Sequence, residues 1–134
     1  MRETETLINA YAALNRNDIS AMVKEFDPEI QWIEPAEFPG GTTHRGHADV
    51  KAHLSRARET WAEGSCEPER FIVAGDKIVV FDRVRVRLKH ETEWREGALA
   101  SVYTFRNGKV IEVRVFAERQ QALEWAGVEA SAVN

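Results

Sequence analysis

The 134-residue sequence has one cysteine, no long apolar run and no excess of basic residues. A single thiol, Cys66, cannot form an internal disulfide, and by itself it cannot make a zinc site. No apolar segment approaches the roughly 20 residues that span a bilayer, and the polar start MRETETLINA lacks the apolar stretch of a signal peptide. A formal net charge of −4 gives no general attraction to phosphate backbones. We therefore expect a cytoplasmic protein with no membrane or nucleic-acid partner.

The periodic segments that are present predict one α+β domain over residues 1–134. Three helices are predicted in the first half: one over 4–16, one from an Asp18 cap through Phe26, and one over 47–61. The segment EIQWIE is predicted as a strand before the third helix. Four more strands are predicted from residue 69 onward, followed by a final helix that ends at Gly127. Asn107-Gly108 is typical of a two-residue hairpin turn. This order predicts helices on one face of a curved antiparallel sheet, whose concavity is the default place for a small ligand.

Glu34 is a single carboxylate at the end of an apolar strand, directly before Pro35. Strand alternation puts it on the same face as Trp32. Beside an indole at a pocket wall, a carboxylate would be partly desolvated and therefore a stronger base. The alternative is a solvated strand end or a structural pair with an arginine. The pKa of Glu34 separates the two interpretations, because the pKa of a catalytic acid is often raised toward neutrality, whereas that of an ion-paired carboxylate is lowered.

Three features together resemble the NTF2-like superfamily and its SnoaL-like branch: two opening helices, W-x-E-P before the H-R-G-H helix, and the ending NGKVIEVRVFAERQQALEWAG. The resemblance implies a cone-shaped α+β barrel with three N-terminal helices and an interior pocket, and commonly a homodimer packed through the outer face of the sheet. It implies a hydrophobic or polycyclic small-molecule ligand and acid–base chemistry of the isomerase, hydrolase or dehydratase type, with no metal and no organic cofactor. The superfamily also has non-catalytic members, so a small-molecule-binding or dimeric assembly domain is the alternative.

Comparison with two enzymes of that superfamily implies roles for individual residues. Glu34 matches the place of the general base of ketosteroid isomerase, but Ala10 and Ser101 stand where that enzyme has its two oxyanion donors, so the resemblance does not extend to steroid isomerisation. Limonene epoxide hydrolase matches Arg83 to an arginine and Glu118 to an aspartate of its pocket. The implied catalytic set is Glu34 as base, Glu118 as a second acid/base and Arg83 as an electrostatic clamp.

The resemblance also implies a pocket wall that contacts the substrate, formed by Tyr11, Trp32, His44, Arg85, Leu99, Ser101 and Tyr103. His44 and His47 invite a metal interpretation, but their spacing fits no strong zinc signature, so we predict no metal site. His44 is expected near the pocket mouth, and His47 at the start of the third helix. His53 is interpreted as a surface residue, and Trp61 as a core or interface residue.

The strand over 77–89 presents a conflict. Alternation alone would bury its valine face and expose Arg83 and Arg85 as a solvated stripe. The resemblance reverses this, because it places both arginines inside the pocket and the valine face against a dimer partner. We follow the resemblance here, since arginines beside Glu34 and Glu118 would be charge-compensated.

Overall fold

The computed structural model describes residues 2–38 and 42–129. The segment 35–46, which joins the EIQWIE strand to the third helix and which we expect to shape the pocket, therefore lies partly outside the described residues. Ten elements follow in chain order: α1 (Arg2–Asn15), α2 (Ile19–Val23), β1 (Phe26–Ile33), β2 (Thr43–Arg45), α3 (Gly46–Glu59), β3 (Trp61–Ala74), β4 (Lys77–Leu88), β5 (Arg95–Arg106), β6 (Lys109–Phe116) and α4 (Arg119–Ala126). Within these ranges no helix is both long and apolar enough to cross a membrane. The cytoplasmic location stays a prediction.

All six strands form one curled, unclosed sheet in the order β2-β1-β6-β5-β4-β3. Neighbouring strands are antiparallel except β1 and β6, which run parallel. The hairpin between β5 and β6 turns at Asn107 and Gly108, both with positive φ, as that dipeptide predicts. The predicted α+β class and cone-shaped fold are confirmed.

The sheet is covered on both faces. The three N-terminal helices pack on its inner face, where the main core includes Ile78, Val80 and Tyr103. A smaller core, formed by Val79, Ala100, Val102, Ala122 and Leu123, joins α4 to the opposite face. The prediction that all helices share one face is therefore wrong for α4. Because both faces of β5 are covered, six consecutive residues, 100–105, are buried.

Two element boundaries differ from the sequence prediction. The Asp18 carboxylate accepts a hydrogen bond from the Ala21 amide at 3.1 Å, as predicted, but α2 ends at Val23, and Phe26 already belongs to β1. Strand β3 begins at Trp61, eight residues before the predicted meander. Its pairing with β4 has two irregularities, one near the start of β3 and one at Pro68, and the strand contains Gly64 and Pro68, which strand propensity disfavours.

Strand β4 settles the conflict over its two faces. Its inner face contains Ile78 and Val80, both buried in the main core. Arg83 and Arg85 lie exposed on the outer face, where their Nε atoms are 3.3 Å from Glu69 and 3.8 Å from Glu96. The predicted inward orientation of the arginines is wrong, because the apolar face is buried against this chain's own helices. The homodimer stays a prediction.

Candidate active site

Glu34 lies at the end of β1, where Pro35 cannot extend the strand pairing. Its amide donates to the Thr42 carbonyl at 2.8 Å, which ties this end of the strand to the segment before β2. Its side chain is only 13% exposed. One carboxylate oxygen, Oε2, accepts hydrogen bonds from Trp32 Nε1 at 2.7 Å and from His53 Nε2 at 2.8 Å. The predicted proximity of Glu34 to Trp32 is confirmed.

The pKa of Glu34 lies below its ordinary value of 4.5. Burial acts in the other direction and raises it, but hydrogen bonds from His53 and Trp32, and attraction to His53 and His44, outweigh burial. The carboxylate is therefore ionised at neutral pH. By the criterion drawn from the sequence, Glu34 has the depressed pKa of a paired carboxylate and not the raised pKa of a desolvated base.

His53 is buried, with 5% exposure, so its interpretation as a surface residue is wrong. It follows Val50 by three residues on α3 and therefore lies on the helix face that packs inward. His44 pairs with Trp32 across β1 and β2, which brings its ring onto that of His53 with centroids 4.0 Å apart and planes at 15°. Asp49 lies 3.7 Å from His44 Nδ1.

A cavity of about 570 Å³ borders this pair of side chains, and we call it the Glu34 cavity. Its lining consists of Glu34, His53, Arg56, Ala57, Thr60, Trp61 and Leu88. Trp61 and Leu88 face each other across β3 and β4. Trp61, interpreted from the sequence as a core or interface residue, thus lies at a cavity wall, beside an ionised carboxylate and an imidazole. A second cavity, of about 580 Å³, borders Glu34 on the side of α4.

A second buried polar cluster lies on the inner face of β4 and β5, and we call it the Asp82 network. Tyr11 and Ser101 donate hydrogen bonds to the two carboxylate oxygens of Asp82, the latter at 2.8 Å. Tyr103 in turn donates to the Tyr11 hydroxyl at 2.9 Å. All four residues are less than a tenth exposed. The sequence signal for this network was a single aspartate interrupting an apolar strand face.

Burial raises the pKa of Asp82 from 3.8 to about 6, although its bonds to Tyr11 and Ser101 and the charge of Arg119 act to lower it. Burial also raises the pKa of Tyr11 and of Tyr103 well above 10.0, so both phenols stay protonated and can donate. The network therefore holds an exchangeable proton close to neutral pH. Ser101, which stands at the place of an oxyanion donor by resemblance, donates its hydrogen bond to Asp82 in this structure.

The structure separates the remaining residues predicted for the pocket. Arg83 and Arg85 lie on the outer face, and Glu118 is exposed just before α4. Leu99 lies on the inner face directly opposite Asp82. None of these four residues borders the Glu34 cavity, and neither Arg83 nor Glu118 contacts Glu34. The acid–cation–acid set of Glu34, Arg83 and Glu118 is thus not assembled.

The side chains considered for metal binding and for thiol chemistry are the histidines of the H-R-G-H segment and Cys66. Across 2–38 and 42–129, no group of three or more His, Cys, Asp or Glu residues is placed to hold a metal ion. His47 contacts the Phe26 carbonyl at 2.8 Å through Nε2, near the start of α3, as its predicted position requires. Burial raises the pKa of the Cys66 thiol, which disfavours the reactive thiolate.

Comparison with known proteins shows solved structures of the same fold and a matching family model. TerC co-crystallised with polyporic acid has a TM-score of 0.79 at 23% identity, covering 95% of this chain and 99% of its own. An NTF2-like protein of unknown function from Burkholderia pseudomallei gives 0.79 at 23%, covering 92% and 96%, and one from Burkholderia xenovorans gives 0.72 at 28%, covering 93% and 95%. No curated protein matches. A family model described as a SnoaL-like domain matches residues 7–113, and the chain therefore belongs to the SnoaL-like branch of the NTF2-like superfamily.

Proposed function

We propose that the protein binds a hydrophobic small molecule in the Glu34 cavity and transfers a proton to and from it, with His53 as the base and Glu34 as its charged partner. One observation carries the proposal: the 2.8 Å contact between His53 Nε2 and Glu34 Oε2 at the wall of a cavity of about 570 Å³. The apolar side chains of Ala57, Trp61 and Leu88 line the same cavity. A mostly apolar cavity with a few converging polar groups suits a small organic ligand.

The charge on Glu34 fixes the role of each imidazole nitrogen. An ionised carboxylate only accepts hydrogen bonds, so Nε2 of His53 must carry the hydrogen that lies between the two side chains. In the neutral ring the lone pair is then on Nδ1, which can accept a proton from the substrate. When it does, the adjacent carboxylate stabilises the imidazolium. Histidine suits this role, because its ordinary pKa is the nearest to neutral among side chains.

The stacked His44 ring supports this arrangement. It covers one face of His53 and limits the rotation that would break the contact with Glu34. The reaction class supported is proton abstraction beside a carbonyl, or addition or elimination of water, in which a single base moves one proton. TerC, a structure of the same fold, was co-crystallised with polyporic acid, which supports a small-molecule ligand for this chain as well.

A second candidate function is a binding or assembly domain without turnover. The depressed pKa of Glu34 favours it, because a carboxylate held by two N–H donors also has the character of a structural pair. In that case the Glu34 cavity binds its ligand and the Glu34–His53 contact only shapes its wall.

Exchange of the α-protons of 2-tetralone in D2O, followed by proton NMR, tests the first proposal without knowledge of the natural substrate. This ketone is apolar and carries acidic protons beside its carbonyl. We expect the protein to accelerate exchange, and His53→Gln and Glu34→Gln to lose about 100-fold of that acceleration, since a positioned base contributes ~10²–10⁴-fold. Glu59→Gln, an exposed carboxylate on the same helix, is the matched control and should equal the unaltered protein.

The same assay separates the alternatives. Glu118→Gln should exchange at the unaltered rate, whereas the hypothesis drawn from resemblance requires a loss. If the unaltered protein exchanges no faster than His53→Gln, proton abstraction by His53 is wrong. Shifts of Trp61 and Leu88 resonances on adding 2-tetralone, without accelerated exchange, would favour the binding domain.

A further inference from the structure

One face of α3 lines the Glu34 cavity. His53, Arg56, Ala57 and Thr60 follow one another at spacings of three, one and three residues, so they form a stripe along the helix. His53 lies at the buried end of the stripe, beside Glu34. Arg56, about one turn closer to the C-terminus of α3, is exposed and brings a positive charge to the cavity rim.

Arg56 differs from most arginines of this protein. On the outer face of the sheet, Arg83 and Arg119 both pair with Glu69, and Arg87 pairs with Glu63. Across the part of the chain that the structure describes, no carboxylate lies within 4.0 Å of the Arg56 guanidinium. Within residues 2–38 and 42–129, this cation at the cavity rim thus has no carboxylate partner.

The wall next to Arg56 is apolar and held in place. Trp61 and Leu88 are directly opposed on β3 and β4, and Arg58 lies over the Trp61 ring at 4.8 Å. Arg58 is itself anchored, since it donates to the carbonyls of Leu14 and Asn15 at 2.9 and 3.0 Å. A flat, apolar ligand surface therefore has a fixed indole to pack against in the same cavity as the Arg56 guanidinium.

We infer that the Glu34 cavity selects acidic aromatic molecules, whose rings pack on Ala57, Trp61 and Leu88 and whose carboxylate, sulfonate or phenolate oxygens pair with Arg56. This inference rests on the proposed function and names the ligand class for the same cavity. A guanidinium presents its N–H donors in a planar fork that matches oxyanions, which makes it more selective for such a group than a point charge. The Glu34 carboxylate at the buried end is negative and accepts hydrogen bonds from Trp32 and His53, so an anion is attracted to Arg56 at the rim and not to the buried end.

Two fluorescent probes with the same ring skeleton test the inference. One, 8-anilinonaphthalene-1-sulfonate, carries an anionic group, and the other, N-phenyl-1-naphthylamine, lacks it. We expect Arg56→Gln to weaken binding of the sulfonate about fivefold and to leave the neutral probe unchanged, which is the upper end for a partly solvated ion pair. Lys51→Gln removes the same charge from an exposed position on α3 that does not line the cavity, and both probes should bind it normally.

Ala57→Leu tests the existence of the binding site separately from the ligand class, because the larger side chain takes up part of the cavity and should weaken the binding of both probes. Suppose that Ala57→Leu weakens the binding of both probes. If Arg56→Gln then changes the affinity of neither probe, or of both equally, the acidic ligand class is wrong, although the probes do bind in the cavity. Equal weakening of the sulfonate by Arg56→Gln and Lys51→Gln also overturns it, because the effect is then only net charge. If Ala57→Leu, folded by circular dichroism, leaves both probes unchanged, they bind elsewhere and both proposals fail.

Discussion

Glu34 and Asp82 are two carboxylates on the inner face of the same sheet, and their acidities move in opposite directions. Asp82 is 3% exposed and its pKa is raised to about 6, whereas the pKa of Glu34, whose side chain is 13% exposed, is lowered. Burial acts to raise both. The difference lies in the donors: Glu34 receives two N–H groups and is attracted to two histidines, whereas Asp82 receives only neutral hydroxyls.

This comparison shows that a buried carboxylate is not by itself a poised base. Hydrogen bonds from His53 and Trp32 keep Glu34 ionised, which suits it to orient His53 and to stabilise a positive ring once His53 has taken up a proton. The hydroxyls of Tyr11 and Ser101 offset burial only in part, so the pKa of Asp82 stays raised to about 6, but no wall of the Glu34 cavity includes it. The group with the raised pKa, Asp82, is thus in one cluster, whereas the side chains that border the Glu34 cavity, Glu34 and His53, are in the other.

Among the substitutions considered, Asp82→Asn should change the pH dependence of stability most, because it removes the only group of the Asp82 network that titrates near pH 6. A folded pKa of about 6 against an ordinary 3.8 means that stability linked to Asp82 is fully present below pH 4 and is lost as the pH rises through about 6. The loss is on the order of 3 kcal/mol. Urea unfolding of the two proteins at pH 4 and pH 7.5 should show this loss in the unaltered protein and not in Asp82→Asn.

Glu34→Gln serves as the control for that experiment. The stability linked to Glu34 is present above its ordinary pKa of 4.5 and is lost as the pH falls through its lower folded pKa. From pH 4 to pH 7.5 it can therefore only rise, opposite to the change linked to Asp82, and Glu34→Gln should keep the loss seen in the unaltered protein. If the free energy of unfolding of Asp82→Asn falls between pH 4 and pH 7.5 as much as that of the unaltered protein, a group other than Asp82 causes the loss.

A smaller effect is expected for Trp32→Phe, which takes one N–H donor from Glu34 while keeping an aromatic ring. The pKa of Glu34 should rise, and the variant should lose about 1–2 kcal/mol at pH 7, since hydrogen bonds to charged groups contribute somewhat more than neutral ones. Lost packing is independent of pH, whereas the lost bond matters only while the carboxylate is charged. The destabilisation should therefore shrink toward pH 2, and an equal cost at both pH values would contradict the assigned role of the indole.

Local signals in the sequence predicted much of the fold. The Asn107-Gly108 turn, the Asp18 cap and the alternation of β4 each depend on a few neighbouring residues, and all three are confirmed. The family was identified correctly from its combined motifs. Transferring residue roles from relatives was less successful, because it turned the arginines of β4 inward against an alternation that was correct.

The site depends on contacts between distant segments, which periodicity does not contain. His53 reaches Glu34 from a different element, 19 residues away, and Tyr11 reaches Asp82 across 71 residues. One signal was nevertheless visible, because Asp82 interrupts an apolar face of β4. His53 lies beside the apolar stripe of α3, three residues after Val50, and was for that reason interpreted as exposed. A polar residue within a buried stripe predicts a partner, although it does not identify which one.

A carbon-13 NMR pH titration of the side-chain carboxyls, with Glu34 and Asp82 assigned through the Glu34→Gln and Asp82→Asn variants, tests whether Glu34 is held ionised while Asp82 holds a proton. The structure predicts that Asp82 titrates near pH 6 and Glu34 below its ordinary 4.5. The reverse order, or ordinary values for both carboxyls, would contradict the division of roles between a charged partner for His53 and a buried proton-holding network.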